Sequence, residues 1–572
     1  MKTEMIYRPT VSCLLNWLSR PWGGASVGTI YIMLNKTKLR VLPNSIIGAL
    51  ILAVASANVV AGQQDVAVRR TNVADQTAML TAANIVPSTR MGAAFAPKLM
   101  SASAAASSSI NSNSLPPFQL SVSGASELFL SNSDFHCETP VLPNEPLSAE
   151  PKVDKADGPM VTFRDKTGLI HMFSAGGFNF SFIGATIDTL TQDCSSVYLP
   201  HFNSDPTQYQ YAEWLRSPYS IDGEHVYGVV HDEYHCDTAN PNSKYDCSFE
   251  SLTQVNSTNG GFLFKVEPMP QRLVATIPYK VIPPSTSGVG NNSNIIKNPN
   301  DGNYYMEVIE ESNDVGPCMM RSSNLATWYA WNGTSFSVLM NNPAAYNNSL
   351  STYSCAPIFT YPLIGINNIR FLSEYNLFVG LGSLTGSYYY VVSSDLVHWS
   401  APVFLFPPNT LTDTGTWQPG ETLPVGYGTL IDADSKTLNF DVIASGDSLA
   451  IYLVRTHTFI NSQGVAQLDN SNRDILRYPL SLSGTAATRA DAPTFSVAGG
   501  TYNKAQTVAL SCGDSPNAIY YSTNGSTPEA STSLSVLYGK PLSVAKSETI
   551  KAICVAAGHA ISPVSTAVYD IN

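Results

Sequence analysis

Met320-Arg-Ser-Ser-Asn-Leu-Ala-Thr-Trp328 and Val392-Ser-Ser-Asp-Leu-Val-His-Trp399 repeat one phrase, S-x-(D/N)-L-x-x-W, in the middle of a chain of 572 residues. Outward from each copy runs the same unit: an extended apolar run, a tight turn, a second run. An all-strand unit of this size cannot bury its apolar face alone, so copies must pack side by side. Radial packing into a β-propeller is the usual solution. Five units can be followed: Gly158–Phe163 with Leu169–Phe173, Glu213–Tyr219 with Val226–Val230, Asn294–Ile296 with Tyr304–Val308, Asn368–Phe371 with Leu377–Val379, and Gly428–Ile431 with Leu449–Leu453. Alternating runs around turns such as Asp222-Gly223 and Asp301-Gly302 predict hairpins. Trp328 and Trp399 close their repeats and read as packing residues.

Hydrophobic residues make up 44% of the chain and aromatics 10%, enough for two folded domains with real cores. Charged residues are only 13%, so Ser, Thr, Asn, Gln and Tyr must carry the surface. That surface suits neutral polar ligands, and a formal net charge of −12 argues against nucleic acid as a partner. The chain contains no nucleotide loop, nucleophile elbow or H-E-x-x-H motif, so redox, kinase, esterase and zinc-protease classes have no support.

Lys36, Lys38 and Arg40 precede the apolar run Ile46–Ala57, with small residues at Ala55 and Ala57 or Val59 and Ala61 offering a cleavage site. This is a secretory layout, with Met33 the expected start and residues 1–62 an extension plus signal peptide. A single membrane anchor is the competing reading, disfavoured by the short run and by Gln63-Gln64 after it. The expected location is therefore secreted, with no membrane association after cleavage. Residues 63–115, rich in Ala and Ser, read as a flexible leader. Of nine cysteines, Cys13 lies upstream of Met33. The other eight are an even set without zinc-like spacing, which favours disulfides.

In a propeller, the starts of first strands and the ends of second strands share a rim. That places Asp157 and Glu213 with His231-Asp-Glu-Tyr-His235 and Glu310-Glu311. Carboxyl groups gathered over a narrow axis are what acid–base chemistry on a glycosidic bond requires, one protonated and one charged. Glu213 and Glu233 are the first candidates for that work, and Asp157 is a further base. His231, Asp232, His235, Arg216 and Trp214 are candidate ligand contacts. Strand alternation puts His231, Glu233 and His235 on one face and Asp232 with Tyr234 on the other. Three ligands on one extended strand diverge, so no metal is expected, and no cofactor. Cys236 and Cys247 are expected to close the following loop, and Glu307 to be buried and paired.

Residues 155–480 resemble the five-bladed propeller glycosidases of the arabinanase and β-xylosidase type. Asp157-Gly-Pro159 parallels their Asp-Pro, which holds the catalytic base. Trp214-x-x-Ser-Pro218 parallels W-A-P, and Ser393–Pro402 parallels S-x-D-L-x-x-W-x-x-P. The chain departs where Tyr219 follows Pro218, since those enzymes place an acid-tuning Asp there, and their blade-three acid motif is not identifiable. E-W-x-x-S-P-Y and H-(N/D)-E-Y are similar to a separate branch of secreted propellers. From Pro493 onward, Ala518-Ile-Tyr-Tyr-Ser-Thr-Asn-Gly-Ser-Thr-Pro528 resembles the C-terminal β-sandwich of chitobiases and β-hexosaminidases. That resemblance implies an immunoglobulin-like fold with a Cys512–Cys554 disulfide between its sheets. The expected architecture is all-β: a five-bladed β-propeller with its lead-in at 116–485, then the β-sandwich at 490–572. The expected function is a secreted glycoside hydrolase-like protein acting on a polysaccharide or glycan. The alternative is a non-catalytic carbohydrate-binding or adhesion protein.

Overall fold

A computed structural model describes residues 31–34, 37–40, 110–140, 142, 153–174, 176–235, 248–277, 286–311, 315–341, 354–359, 365–384, 387–408, 410–413, 417–419, 421, 423–444, 446–515, 517–530 and 535–572. Residues 1–103 form a unit of their own, of which the described part is a hairpin pairing Tyr31–Leu34 with Thr37–Arg40. The signal-like run and most of the Ala/Ser-rich leader lie outside the described residues, as do Cys236 and Cys247.

The second unit is all-β, with three short 3-10 turns and no α-helix among its described residues. None of the described helices is long and apolar enough to cross a membrane. Each of the five hairpins read from the sequence forms an antiparallel pair. Blade 1 is Val161–Arg164, Ile170–Phe173, Ser181–Gly184 and Thr191–Asp193. Blade 2 is Ala212–Ser220, Val226–His235, Ser248–Ser257 and Leu273–Ala275. Blade 3 is Ile296–Lys297, Tyr304–Glu310, Gly316–Ser322 and Tyr329–Trp331. Blade 4 is Asn368–Leu372, Leu377–Leu384, Ser387–Ser393 and Val403–Phe404. Blade 5 is Leu423–Asp432, Leu449–Ile460 and Ala466–Ser483, completed by Gln119–Val122 and Glu127–Leu130 from the lead-in.

The ring closes through its cores. Phe163 and Phe173 of blade 1 pack with Leu215 and Val230 of blade 2. Val229 of blade 2 meets Met306 and Val308 of blade 3. Ile296 and Tyr305 meet Ile369 and Phe378 of blade 4, and Val379 and Tyr390 meet Leu430 and Ile451 of blade 5. Phe440 and Tyr452 of blade 5 return to Met160 and Met172 of blade 1. Five interfaces for five blades leave no free face, which is the condition for a closed propeller.

The repeated phrase proves to be a turn between third and fourth strands. Asn324 Oδ1 accepts the backbone N–H groups of Ala326 and Thr327, at 3.0 and 3.1 Å, and Asp395 Oδ1 accepts those of Val397 and His398, at 3.0 and 2.8 Å. Leu325 and Leu396 adopt the left-handed conformation, φ 66° and 69°. Trp328 and Trp399 are buried and donate through Nε1 to the carbonyls of those leucines. The tryptophans therefore pack, as read from the sequence.

Cys137–Cys194, Cys318–Cys355 and Cys512–Cys554 are disulfides, which fits an oxidising compartment. The C-terminal sandwich has a five-stranded sheet containing Asn517–Ser522, Glu548–Ala556 and Ser565–Ile571, faced by two short two-stranded ladders. Cys512, beside Leu510–Ser511, is tied to Cys554 of the large sheet, so the disulfide joins the two layers as the resemblance implied.

Candidate functional site

In blade 2, Asp232 pairs with Glu213 and Glu233 with Glu250 across adjacent strands. The acidic start of the first strand and the His231–His235 end of the second therefore share one rim, as expected. Their side chains divide between the two faces of the sheet.

On one face lie Glu213 and Asp232. Glu213 is 1% exposed, and its carboxylate accepts from the Tyr198 hydroxyl, from the His201 N–H at 2.9 Å, and sits 2.6 Å from His201 Nδ1. It does not pair with Arg216. Asp232 is also buried and accepts from the Tyr211 N–H and from Ser251 Oγ at 3.3 Å. Burial, followed by the charge of Glu213, pushes the Asp232 carboxyl well above the ordinary range. Glu213 is thus walled off from ligand and reaches the surface through the half-exposed His201.

On the other face, His231 Nε2 lies 2.9 Å from Glu233 Oε1, and His235 Nε2 lies 3.2 Å from Glu233 Oε2. Burial raises the Glu233 carboxyl, but these two imidazoles outweigh it and hold the group well below the usual carboxylate range. The Trp214 ring lies 5.9 Å from that of His231. Burial, with the charges of Glu311 and Glu233, pushes Glu250 strongly up. Burial and the Glu233 charge also raise Glu311, against a hydrogen bond from Asn291 Nδ2 at 3.2 Å.

Asp157 enters from the start of blade 1, its side chain 25% exposed, paired with the Arg473 guanidinium and 3.4 Å from the Tyr427 hydroxyl. The Asp157 charge, with burial, raises the Tyr427 phenol, which also feels Arg473, Arg216 and Glu233. Tyr427 therefore lies against Asp157 and within electrostatic reach of Arg216 and Glu233, at the mouth where these strand ends meet.

Strand pairing is irregular in the strands that carry these residues. Val229 pairs with Ser217 and Val230 with Leu215, leaving Arg216 as an extra residue. Gly426 pairs with Val454 and Thr429 with Tyr452, so Tyr427, at φ 55°, and Gly428 share one opposite position. Thr456 pairs with Arg473 and His457 with Asp469, leaving residues 470–472 bulged out. Bulges re-aim side chains beside active sites.

Sequence reasoning missed Arg473, Tyr427, Glu250 and His201. Only Tyr427 carried a local signal, being flanked by glycines at the start of a first strand. Glu307 is buried as expected, but its carboxylate is held by the Ile366 N–H at 3.3 Å rather than by a cation. Tyr219 lies at the other end of its strand, where it lines a hollow of about 390 Å3 with Lys297, Phe371, Asn439 and Asp441. The residue at that position therefore does not face the mouth.

The class defined here is a five-bladed β-propeller with a carboxyl- and imidazole-lined mouth, joined to a C-terminal β-sandwich. Residues 497–566 match the family described as chitobiase/beta-hexosaminidase C-terminal domain. A segment of 53 residues is 45% identical to an endoglucanase of Clostridium saccharobutylicum, spanning 9% of this chain and 12% of that protein. Three solved structures resemble the chain at low similarity. A thermostable family-43 glycoside hydrolase is 8% identical with TM-score 0.30, covering 63% of this chain and 93% of its own. An endo-arabinase from Bacteroides thetaiotaomicron VPI-5482 is 12% identical with TM-score 0.29, covering 62% and 97%. A protein of unknown function from Dyadobacter fermentans DSM 18053 is 10% identical with TM-score 0.30, covering 65% and 97%.

Proposed function

We propose that this is a secreted protein whose propeller mouth binds a polysaccharide or glycan and hydrolyses its glycosidic bonds. Asp157 serves as base, Glu311 as proton donor, Glu233 as a fixed negative charge, and Trp214 and Arg216 as sugar contacts. The observation that carries this reading is the sorting of carboxyl groups at one mouth. Asp157 is paired with Arg473 and Glu233 is held ionised by two imidazoles, while Glu311 is pushed toward its protonated form. Glycosidic cleavage needs one carboxyl of each kind. Glu213 becomes a positioning residue that orients His201. The match to part of an endoglucanase supports a glycan as the ligand class.

A second reading, binding without cleavage, is favoured by the Arg473 ion pair, which occupies the carboxylate that would act as base. A screen of aryl-glycosides and of plant and microbial glycans separates the two. Under the first reading, Asp157→Asn and Glu311→Gln each lower turnover by about 10²–10⁴-fold. Retained binding on affinity gels without release of sugar from any substrate would establish the second. Turnover unaffected by either change would remove the assigned residues.

A further inference from the structure

His231, Glu233 and Glu250 place one imidazole nitrogen and two carboxylate oxygens within 4.8 Å of one another. The sequence reading discounted a metal because ligands along one strand diverge. Here the third donor comes from the neighbouring strand, through the Glu233–Glu250 register pair. Two other clusters of metal-binding residue types, around Cys137–Cys194 and Cys318–Cys355, are spent on disulfides.

A second observation sets this cluster apart from an ordinary acidic patch. Glu250 is 5% exposed, and its Oε2 meets no hydrogen-bond partner among the described residues; His231 is 2% exposed, and its Nδ1 meets none. Leaving a carboxylate oxygen dry and unpaired is costly unless a proton or a cation takes it up. A Cβ at Gly290 would come within 1.8 Å of Glu250 Oε2 and 2.7 Å of His231 Cε1. Only a glycine there lets the backbone close over both groups. The nearby charges are also lopsided: Glu250 feels the carboxylates of Glu311 and Glu233 against the guanidinium of Arg216.

We propose that His231, Glu233 and Glu250 bind a divalent cation at the propeller mouth. A donor set of one imidazole and two carboxylates suits Zn2+ or Mn2+ better than the all-oxygen preference of Ca2+. The cation bridges the Glu233 and Glu250 carboxylates and fixes the His231–His235 strand end against the third strand of blade 2. This holds whether or not the mouth cleaves glycans, because binding is a property of the resting protein.

The test uses the whole chain after EDTA treatment and desalting. Titration with Zn2+, and separately with Mn2+, is followed by metal content per chain and by thermal unfolding. The expected result is one ion per chain with a raised Tm, and affinity on the order of a hundredfold weaker in Glu250→Gln. In EDTA, Glu250→Gln unfolds no earlier than the wild type, showing that the loss is not misfolding. Glu233→Gln gives the same loss should Glu250→Gln not fold. Stoichiometric binding undiminished by these changes, or no metal-dependent shift of Tm with either ion, overturns the site.

Discussion

Asp154 shows how one side chain makes stability depend on pH. It lies beside the Cys137–Cys194 disulfide, where its N–H donates to the Cys137 carbonyl at 2.9 Å and its Oδ2 accepts from Gln192 Nε2 at 2.5 Å. Burial raises its pKa from 3.8 to about 7, and Asp157 adds to the rise. Because the folded value lies above the unfolded one, the folded state holds the proton more tightly. Below pH 4 both states are protonated and the group is neutral to stability. As pH rises from about 4 to 7 the unfolded chain ionises first, and a penalty on the order of 4 kcal/mol accumulates. Asp154→Asn should therefore raise Tm at pH 8 and leave it nearly unchanged near pH 4. Equal shifts at both pH values would refute this account. The same scale shows what the sequence could reveal of the site. Strict alternation placed Asp232 and Glu233 on opposite faces correctly, because side-chain direction follows the strand period. It could not reveal that Glu213 turns toward Tyr198 and His201, or that Arg473 lies on Asp157. Those contacts join residues 12 to 316 positions apart through geometry that no local pattern encodes.

At the level of elements, polar stitches link successive blades. Asn179 Oδ1 accepts the Leu215 N–H at 2.7 Å, and Ser217 Oγ donates to the Ser293 carbonyl at 2.6 Å. Asn294 Oδ1 accepts Ile369 N–H at 2.8 Å, and Asn368 Oδ1 accepts Leu430 N–H at 3.0 Å. Arg473 Nη1 donates to the Ala156 carbonyl at 3.0 Å, completing the circuit from blade 5 to blade 1. Each side chain satisfies a backbone group at a blade boundary that no ladder takes up, as buried backbone donors and acceptors require. Asn368→Ala strands the Leu430 N–H and removes the donor to Asn294 Oδ1. The expected cost is about 1–3 kcal/mol in denaturant unfolding. A cost below about 0.5 kcal/mol, as at an ordinary surface position, would mean the relay is incidental. Hairpins were legible because each is defined by a turn and two flanking runs within some twenty residues. Gly223, at φ 84°, shows how strict that turn chemistry is: a Cβ there would come within 2.5 Å of the Lys166 N–H. The bulges that introduce Arg216 and Tyr427 were not legible, because an extra residue in a strand looks like any other until its partner is known.

For the whole molecule, the unanticipated feature is that both ends of the second unit are tied to the ring. The lead-in strands complete blade 5, with Leu120 opposite Leu482 and Leu130 opposite Ile475. A partner some 350 residues away leaves no trace in a local pattern, so this closure had to be seen. The leader was expected to stay flexible up to 115, but Ile110 and Leu115 already pack on the core between blades 4 and 5. At the other end, the sandwich shares a core with blade 4. Ala518, Tyr520, Ile553 and Val555 pack with Leu396, Trp399 and Phe404. Ala560 pairs with Val403, and Thr488–Arg489 pairs with His559–Ala560, so the sandwich covers the outer edge of blade 4. An uncovered edge strand backed by apolar side chains invites aggregation. Ending the chain after Ala490 uncovers Val403–Phe404 together with the buried faces of Trp399 and Leu396. The truncated protein should melt below the full chain and self-associate on heating, while the full chain shows a single calorimetric transition. Two separate transitions in the full chain, with the propeller's unchanged after truncation, would instead make the sandwich an independent appendage, because a shared apolar core couples the unfolding of both its walls.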